Sequence, residues 1–179
     1  PRMDLEPIAL TPREPQPGQG AGQFGVAVLG GVLVIADEVQ CGLGRTGYPF
    51  YFQKLGMKPD LVAVGKALAA GVPMGAAVVK EEVGAALAFG DHGTTFGGNL
   101  LACRAALVCL DEISGGLMDH VKTVGANLER RLRELKTKHS AIVDVRGAGL
   151  MWGLELNMDA TGVHEAAIRQ GVLVNRTAG

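Results

Sequence analysis

A chain of 179 residues is long enough for one domain of ordinary size, or one and a half. With 47% hydrophobic residues, 20% charged residues and a net charge of -1, its composition is that of a soluble globular protein, with neither the basic excess of a nucleic-acid binder nor an acidic tail. Three cysteines, Cys41, Cys103 and Cys109, are an odd number without metal-ligand spacing, so reduced thiols in a cytoplasmic protein are expected and a metal site is not.

The chain opens abruptly at PRMDLEPI without a signal-peptide pattern, as a fragment would. Residues 9–31 are rich in Pro, Gly and Gln, lack any period and are expected to be irregular. The longest uncharged apolar run, FGVAVLGGVLVIA, is too short and too glycine-rich to span a bilayer, so no membrane partner is expected. Within it VLVIA (32–36) has the β-branched, wholly apolar pattern of a strand buried on both faces of a parallel sheet. DLVAVG (60–65) repeats that pattern, and MGAAVVK (74–80) predicts a third strand. KEEVGAALAFG predicts a short helix. NLLACRAALVCLDEI (99–113) predicts a helix buried on most sides, with Asn99 as its N-cap, and SGG then breaks the chain.

Beyond that break Leu117, Val121, Val124, Leu128, Leu132 and Leu135 step by three or four residues, one stripe of a long amphipathic helix. AIVDVRG and LMWGLEL predict strands, followed by a helix near 162–170 and a last strand, VLVN. Strands alternating with helices, then a separate α+β unit, predict two domains, 1–115 and 116–179, divided at Ser114–Gly116.

The stretch DEVQCGLGRTG (37–47) carries two competing signals. GLGRTG fits the G-x-G-x-x-G dinucleotide fingerprint, but DEVQC separates it from the strand and the aromatic, proline-bounded YPFYFQKLGMKP is a poor crossover helix. A structural loop is the better reading. Asp37 ends an apolar strand, at the edge where open α/β sheets place ligands, although an Asp there serves equally as a helix cap. Lys66 ends the next strand among small residues, where burial would favour a neutral amine; the alternative is a lysine snorkelling to solvent. Together, a strand-end carboxylate and a strand-end lysine are what pyridoxal phosphate requires. The amine forms a Schiff base with the aldehyde, and the carboxylate keeps the pyridine nitrogen protonated. Gln40 is placed to hydrogen-bond the ring's phenolic oxygen. HGTTFGGN (92–99) offers hydroxyls and glycine amides ahead of a helix, suited to a phosphate, or else ordinary loop and capping chemistry for Thr94 and Thr95.

DEVQCGLGRTG, DLVAVGKALAAGVPMGA and HGTTFGGNLLACRAAL together resemble consecutive signatures of the class III aminotransferases, fold-type I pyridoxal-phosphate enzymes. The spacing agrees, with 29 positions from Asp37 to Lys66 and again from Lys66 to Thr95. VRGAGLMWGLEL and the terminal GVLVNRTAG are most similar to the branch acting on N-acetylornithine-like donors, and the likeness runs from Val32 to the end, plus LEPI. The resemblance implies an α/β fold: part of an aspartate aminotransferase-like large domain with a smaller α+β C-terminal domain. It implies that Lys66 carries the cofactor and shuttles a proton, and that Asp37, Glu38, Val39 and Gln40 line the cofactor, Asp37 at the pyridinium. Thr95 would bind the phosphate of a partner subunit's cofactor and Thr94 would lie near substrate, in a homodimer. The donor would be N-acetylornithine-like, or γ-aminobutyrate or ornithine, and the acceptor 2-oxoglutarate.

Three departures qualify this. The family's N-terminal half, with its main phosphate loop and ring-stacking aromatic, is missing, and so is the substrate-carboxylate arginine beyond Gly179. The family's switch glutamate falls at Thr11. The resemblance therefore leaves two expectations: the C-terminal part of an aminotransferase, inactive alone, or a catalytically dead remnant that keeps the centre of the fold.

Overall fold

The computed structural model describes residues 32–177. The Pro- and Gly-rich segment 9–31, the LEPI match and Thr11 lie outside the described residues, as do the last two positions of GVLVNRTAG. The predicted α/β character holds. A first sheet runs in the order β1 (Ile35–Asp37), β2 (Leu61–Val64), β3 (Ala76–Val79), and a second pairs β4 (Ile142–Ala148) with β5 (Met151–Leu156).

β1 and β2 are parallel, with Asp37 opposite Ala63. β3 returns antiparallel along β2, because residues 65–75 are too short a link for a parallel crossover. The base of the sheet is tied by Asp60: Oδ2 accepts from the Val34 amide at 2.8 Å and Oδ1 from Lys80 Nζ at 2.6 Å. The Lys80 hydrogen bond, helped by the Val34 amide, holds the Asp60 carboxyl below the usual carboxylate range.

Burial of β1 on both faces is not found. The strand is only Ile35–Asp37 and Ile35 is 57% exposed, because among the described residues nothing covers that side of the sheet. The helix α3 (Leu100–Glu112) corrects the sequence reading in the same way. Asn99 caps it, its side-chain oxygen accepting from the Ala102 amide at 3.1 Å, but only Ala102 and Ala106 are buried while Leu100, Leu101, Leu107 and Val108 are exposed. One face packs on the 3-10 turn Lys66–Ala69, and the other meets no described element.

The break predicted at SGG falls at Gly116, whose backbone lies outside the helical range and kinks the chain between two helices. A wide turn, Ile113–Leu117, carries α3 into α4 (Met118–Lys138), bent at Gly116, whose φ of 114° suits glycine. Ile113 anchors this bend in a core made with Leu43, Val62, Val64, Leu68, Ala69 and Ala106. Of the α4 stripe, Val121 is buried, Leu128 and Leu132 are half-buried, and Leu117, Val124 and Leu135 are exposed. The short helices α1 (Tyr51–Lys54) and α2 (Glu81–Gly84) complete the first part. α5 (Thr161–Arg169) matches the helix predicted near 162–170. VLVN is not a strand, since no described strand lies beside it to form a ladder. Its segment is held instead by the Val172 amide on Ala167 O at 2.9 Å and by Arg176 on Asp159 and Thr161.

The 42–47 loop, the turn between β4 and β5, and α4 come together through close backbone approaches. Gly149, at φ 55°, turns β4 into β5 and sits so near the 42–47 loop that an added Cβ would lie 2.5 Å from the Thr46 carbonyl carbon. A Cβ on Gly125 of α4 would meet the Gly149 oxygen at 2.5 Å. The Leu150 amide donates to Arg45 O at 3.0 Å, and Trp152 Nε1 donates to Gly149 O at 2.7 Å. Without side chains at 125 and 149, loop, turn and helix stack backbone on backbone.

Candidate active site

β1 delivers Asp37 to the sheet edge, and the ladder continues one residue further, the Glu38 amide donating to Ala63 O at 2.9 Å. The chain then turns tightly. Asp37 Oδ1 accepts from the Val39 amide at 3.1 Å, and Oδ2 has no hydrogen-bond partner among the described residues. Glu38 points away from the edge and is 3% exposed. Its two oxygens accept from the Phe52 and Tyr51 amides at 2.8 and 3.0 Å, fixing the start of α1.

The glycine stretch is a closed loop and not the opening of a crossover helix. Leu43 N donates to Pro49 O and Gly44 N to Tyr48 O, which folds residues 42–49 back on themselves and drops Leu43 into the core. α1, which follows, has only four residues. The dinucleotide reading therefore finds no support, and the structural-loop reading stands.

Lys66 begins the 3-10 turn Lys66–Ala69, immediately beyond β2. Its φ of 44° is left-handed, a conformation that costs a side-chain-bearing residue about 1–2 kcal/mol. Nζ donates to Gln40 Oε1 at 2.6 Å. Val39 packs under Gly65, where a Cβ would stand 3.4 Å from Val39 Cγ1. Asp37, Val39, Gln40 and Lys66 are thus brought to one edge of the parallel pair. The expected burial of Lys66 is not found: its side chain is exposed, for the same reason that Ile35 is.

Thr94 and Thr95 stand on the exposed turn before α3. Thr94 lines a hollow of about 310 Å³ with Met74, Gly75, Phe96, Asn99 and Ala102. Among the described residues no hydrogen bond joins either threonine to the Asp37–Lys66 edge. No group of three or more His, Cys, Asp or Glu that could hold a metal occurs among the described residues.

The sequence marks Cys41 as a free thiol but does not show its setting beside Glu38. Its thiol donates to Glu38 Oε2 at 3.2 Å and lies 3.3 Å from Asp37 O. Burial first, then the Glu38 hydrogen bond and charge, push it up to about 12. At about pH 8 such a thiol is almost wholly protonated, and the thiolate is the reactive form. Iodoacetamide labelling of Cys41 in the folded chain should therefore be at least about 100-fold slower than in concentrated urea. Peptide mass spectrometry over a time course reads this directly, and equal rates would show that Glu38 does not hold the thiol.

A lone amine and a carboxylate with one unpartnered oxygen, at the ends of adjacent parallel strands, suit a cofactor with an aldehyde and a basic ring nitrogen. The aminotransferase class-III family model matches residues 27–179, and the chain belongs to that family. Pyridoxal 5'-phosphate is the cofactor of these enzymes, and the residues at the edge fit it. Among individual relatives, the chain is 46% identical over 148 residues to the acetylornithine aminotransferase of Methanocaldococcus jannaschii, covering 82% of this chain and 37% of that one. The acetylornithine aminotransferase of Aquifex aeolicus is also 46% identical, over 83% of this chain and 38% of that one. Among solved structures, Toxoplasma gondii ornithine aminotransferase superposes with a TM-score of 0.77 at 37% identity, over 83% of this chain and 37% of that one. Acetylornithine aminotransferase from Elizabethkingia anophelis gives 0.74 at 33% identity, over 82% and 40%. The chain thus spans little more than a third of the length of the curated relatives it matches.

Proposed function

We propose that this chain supplies the lysine-bearing part of an enzyme that moves an amino group from an ω-amino donor of the N-acetylornithine kind to 2-oxoglutarate. The observation that carries the reading is the 2.6 Å contact from Lys66 Nζ to Gln40, on the edge where Asp37 ends its strand. Pyridoxal phosphate, when bound, supplies the aldehyde carbon and the electron-accepting ring. Lys66 Nζ would join the aldehyde carbon and, once freed by substrate, take a proton from the donor's carbon and return it. The Asp37 carboxylate would hold a proton on the ring nitrogen. Thr95 would donate to a phosphate oxygen and Thr94 would stand beside the substrate. The names of the relatives support the donor class, with ornithine and γ-aminobutyrate as alternatives.

The same reading includes a homodimer, a cytoplasmic location with Cys41, Cys103 and Cys109 as free thiols, and a division into a large-domain part to residue 115 and a small-domain part from 116. It also holds that the 179-residue chain does not turn over alone. Exposure of Asp37, Lys66, Thr94 and Thr95 supports this, because a cofactor so open to water is poorly oriented. A catalytically dead remnant is the second reading, favoured by that same exposure.

Borohydride reduction of the chain with pyridoxal phosphate, followed by peptide mapping, tests the assignment. Lys66 should carry the label. Lys80 is committed to Asp60 at 2.6 Å, Lys54 Nζ lies over the Tyr51 ring, and Lys58 stands before β2 begins, at the end opposite Lys66, so a label on any of these three would overturn it.

A further inference from the structure

We propose that Gln40 is a positioning residue for Lys66, holding its amine at the sheet edge before the cofactor arrives and releasing it on capture. This rests on the reading of Lys66 given above. The backbone beneath Lys66 is held firmly. Leu68 and Ala69 bury the 3-10 turn in the core, Cys109 Sγ donates to Ala67 O at 3.2 Å, and Ala70 closes the turn at φ 51°. Lys66 itself is kept left-handed at φ 44°, a strain that persists only where the surroundings over-determine it.

That fixed base still leaves four rotatable side-chain bonds, and a long flexible side chain loses rotamer entropy when it is held. Among the described residues the one hydrogen bond made by Nζ is to Gln40 Oε1, and no salt bridge to Asp37 or Glu38 competes. The Val39–Gly65 contact sets the spacing of the two backbones, so Gln40 is delivered within reach by packing.

The chemistry of the acceptor matters. An amide oxygen carries no charge, so it accepts from the nitrogen whether ammonium or amine, and gives it up without separating an ion pair. Capture then balances simply: the Nζ lone pair adds to the aldehyde carbon, and the aldehyde oxygen leaves as one water with two protons from the nitrogen. Gln40 is left free for another donor or acceptor. A carboxylate in its place would anchor the ammonium and resist that release.

The test uses the whole 179-residue chain without cofactor. Nitrogen-15 relaxation of the lysine side chains should find Lys66 Nζ restrained relative to Lys138, on the exposed end of α4. Gln40→Leu should make Lys66 as mobile as Lys138 and slow its borohydride-trapped labelling by pyridoxal phosphate about tenfold. Gln40→Glu, which keeps an acceptor oxygen in place, should restore the restraint. A Lys66 signal that is mobile in the parent, or equally restrained in Gln40→Leu, overturns the proposal even while Lys66 remains the labelled lysine. Labelling of another lysine in the parent instead removes the functional reading, and this proposal with it.

Discussion

Asp37→Asn, made in a complete class III chain that contains this segment, is expected to lower turnover by about 10²–10³-fold while leaving thermal stability nearly unchanged. The contrast follows from the geometry. Asparagine keeps the Oδ1 acceptor that takes the Val39 amide at 3.1 Å, so the turn after β1 retains its hydrogen bond. Asp37 takes part in no salt bridge among the described residues and sits opposite Ala63, so no ion pair seen there is broken. What is lost is the negative charge of the carboxylate. A neutral amide cannot keep a proton on a basic ring nitrogen, and the ring then accepts electrons poorly. Steady-state kinetics beside a melting curve decides the matter. Turnover within about twofold of the parent would remove Asp37 from the pyridinium role.

Gly149→Ala is expected to destabilise the chain by about 3 kcal/mol, whereas Gly56→Ala should cost only about 1. Both glycines are left-handed, at φ 55° and φ 65°, so both substitutions carry the same conformational penalty. They differ in surroundings. Nothing lies within 4 Å of a Cβ on Gly56, while one on Gly149 meets the Thr46 carbonyl carbon at 2.5 Å and Arg45 O at 2.7 Å. Those are backbone atoms, which have no rotamer by which to retreat. Urea unfolding of the two variants separates the terms. Equal shifts in midpoint would show that the loop and turn do not press on each other.

Much of this was legible in the sequence, and the reasons are specific. Asp37 and Lys66 could be placed because wholly apolar runs announce strands, and the residue that ends such a run stands at a sheet edge. Asn99 could be placed because the cap's chemistry is local. GLGRTG was separable from a dinucleotide loop because the requirement for a following helix can be checked along the chain. The exposed side chains of α3, by contrast, were read as buried. Apolarity reports what a face is suited to, while burial depends on which elements are present to cover it. The antiparallel return of β3 depended on the length of a link. The settings of Cys41 and Gly149 were invisible because they lie in residues that are distant in sequence or folded under a turn. The signal that was available, glycines at 125, 147 and 149, says only that something comes close, not what.

The seating of residues 42–47 on the Gly149 turn, which is itself backed by Gly125, has a practical consequence for anyone altering this protein. Surface loops ordinarily accept extra residues, tags or cross-linkers, and this one looks like such a place because Arg45 is exposed. Its main chain, however, is seated on the β4–β5 turn at two successive residues, through Arg45 O to the Leu150 amide and through Thr46 against Gly149. Lengthening it by even one residue would unseat the far β-turn and drag on the strand that ends in Asp37. The turn at Gly90 is the better place to insert, since nothing lies within 4 Å of a Cβ there. Side chains at position 45 can be exchanged freely, but the length of that loop cannot.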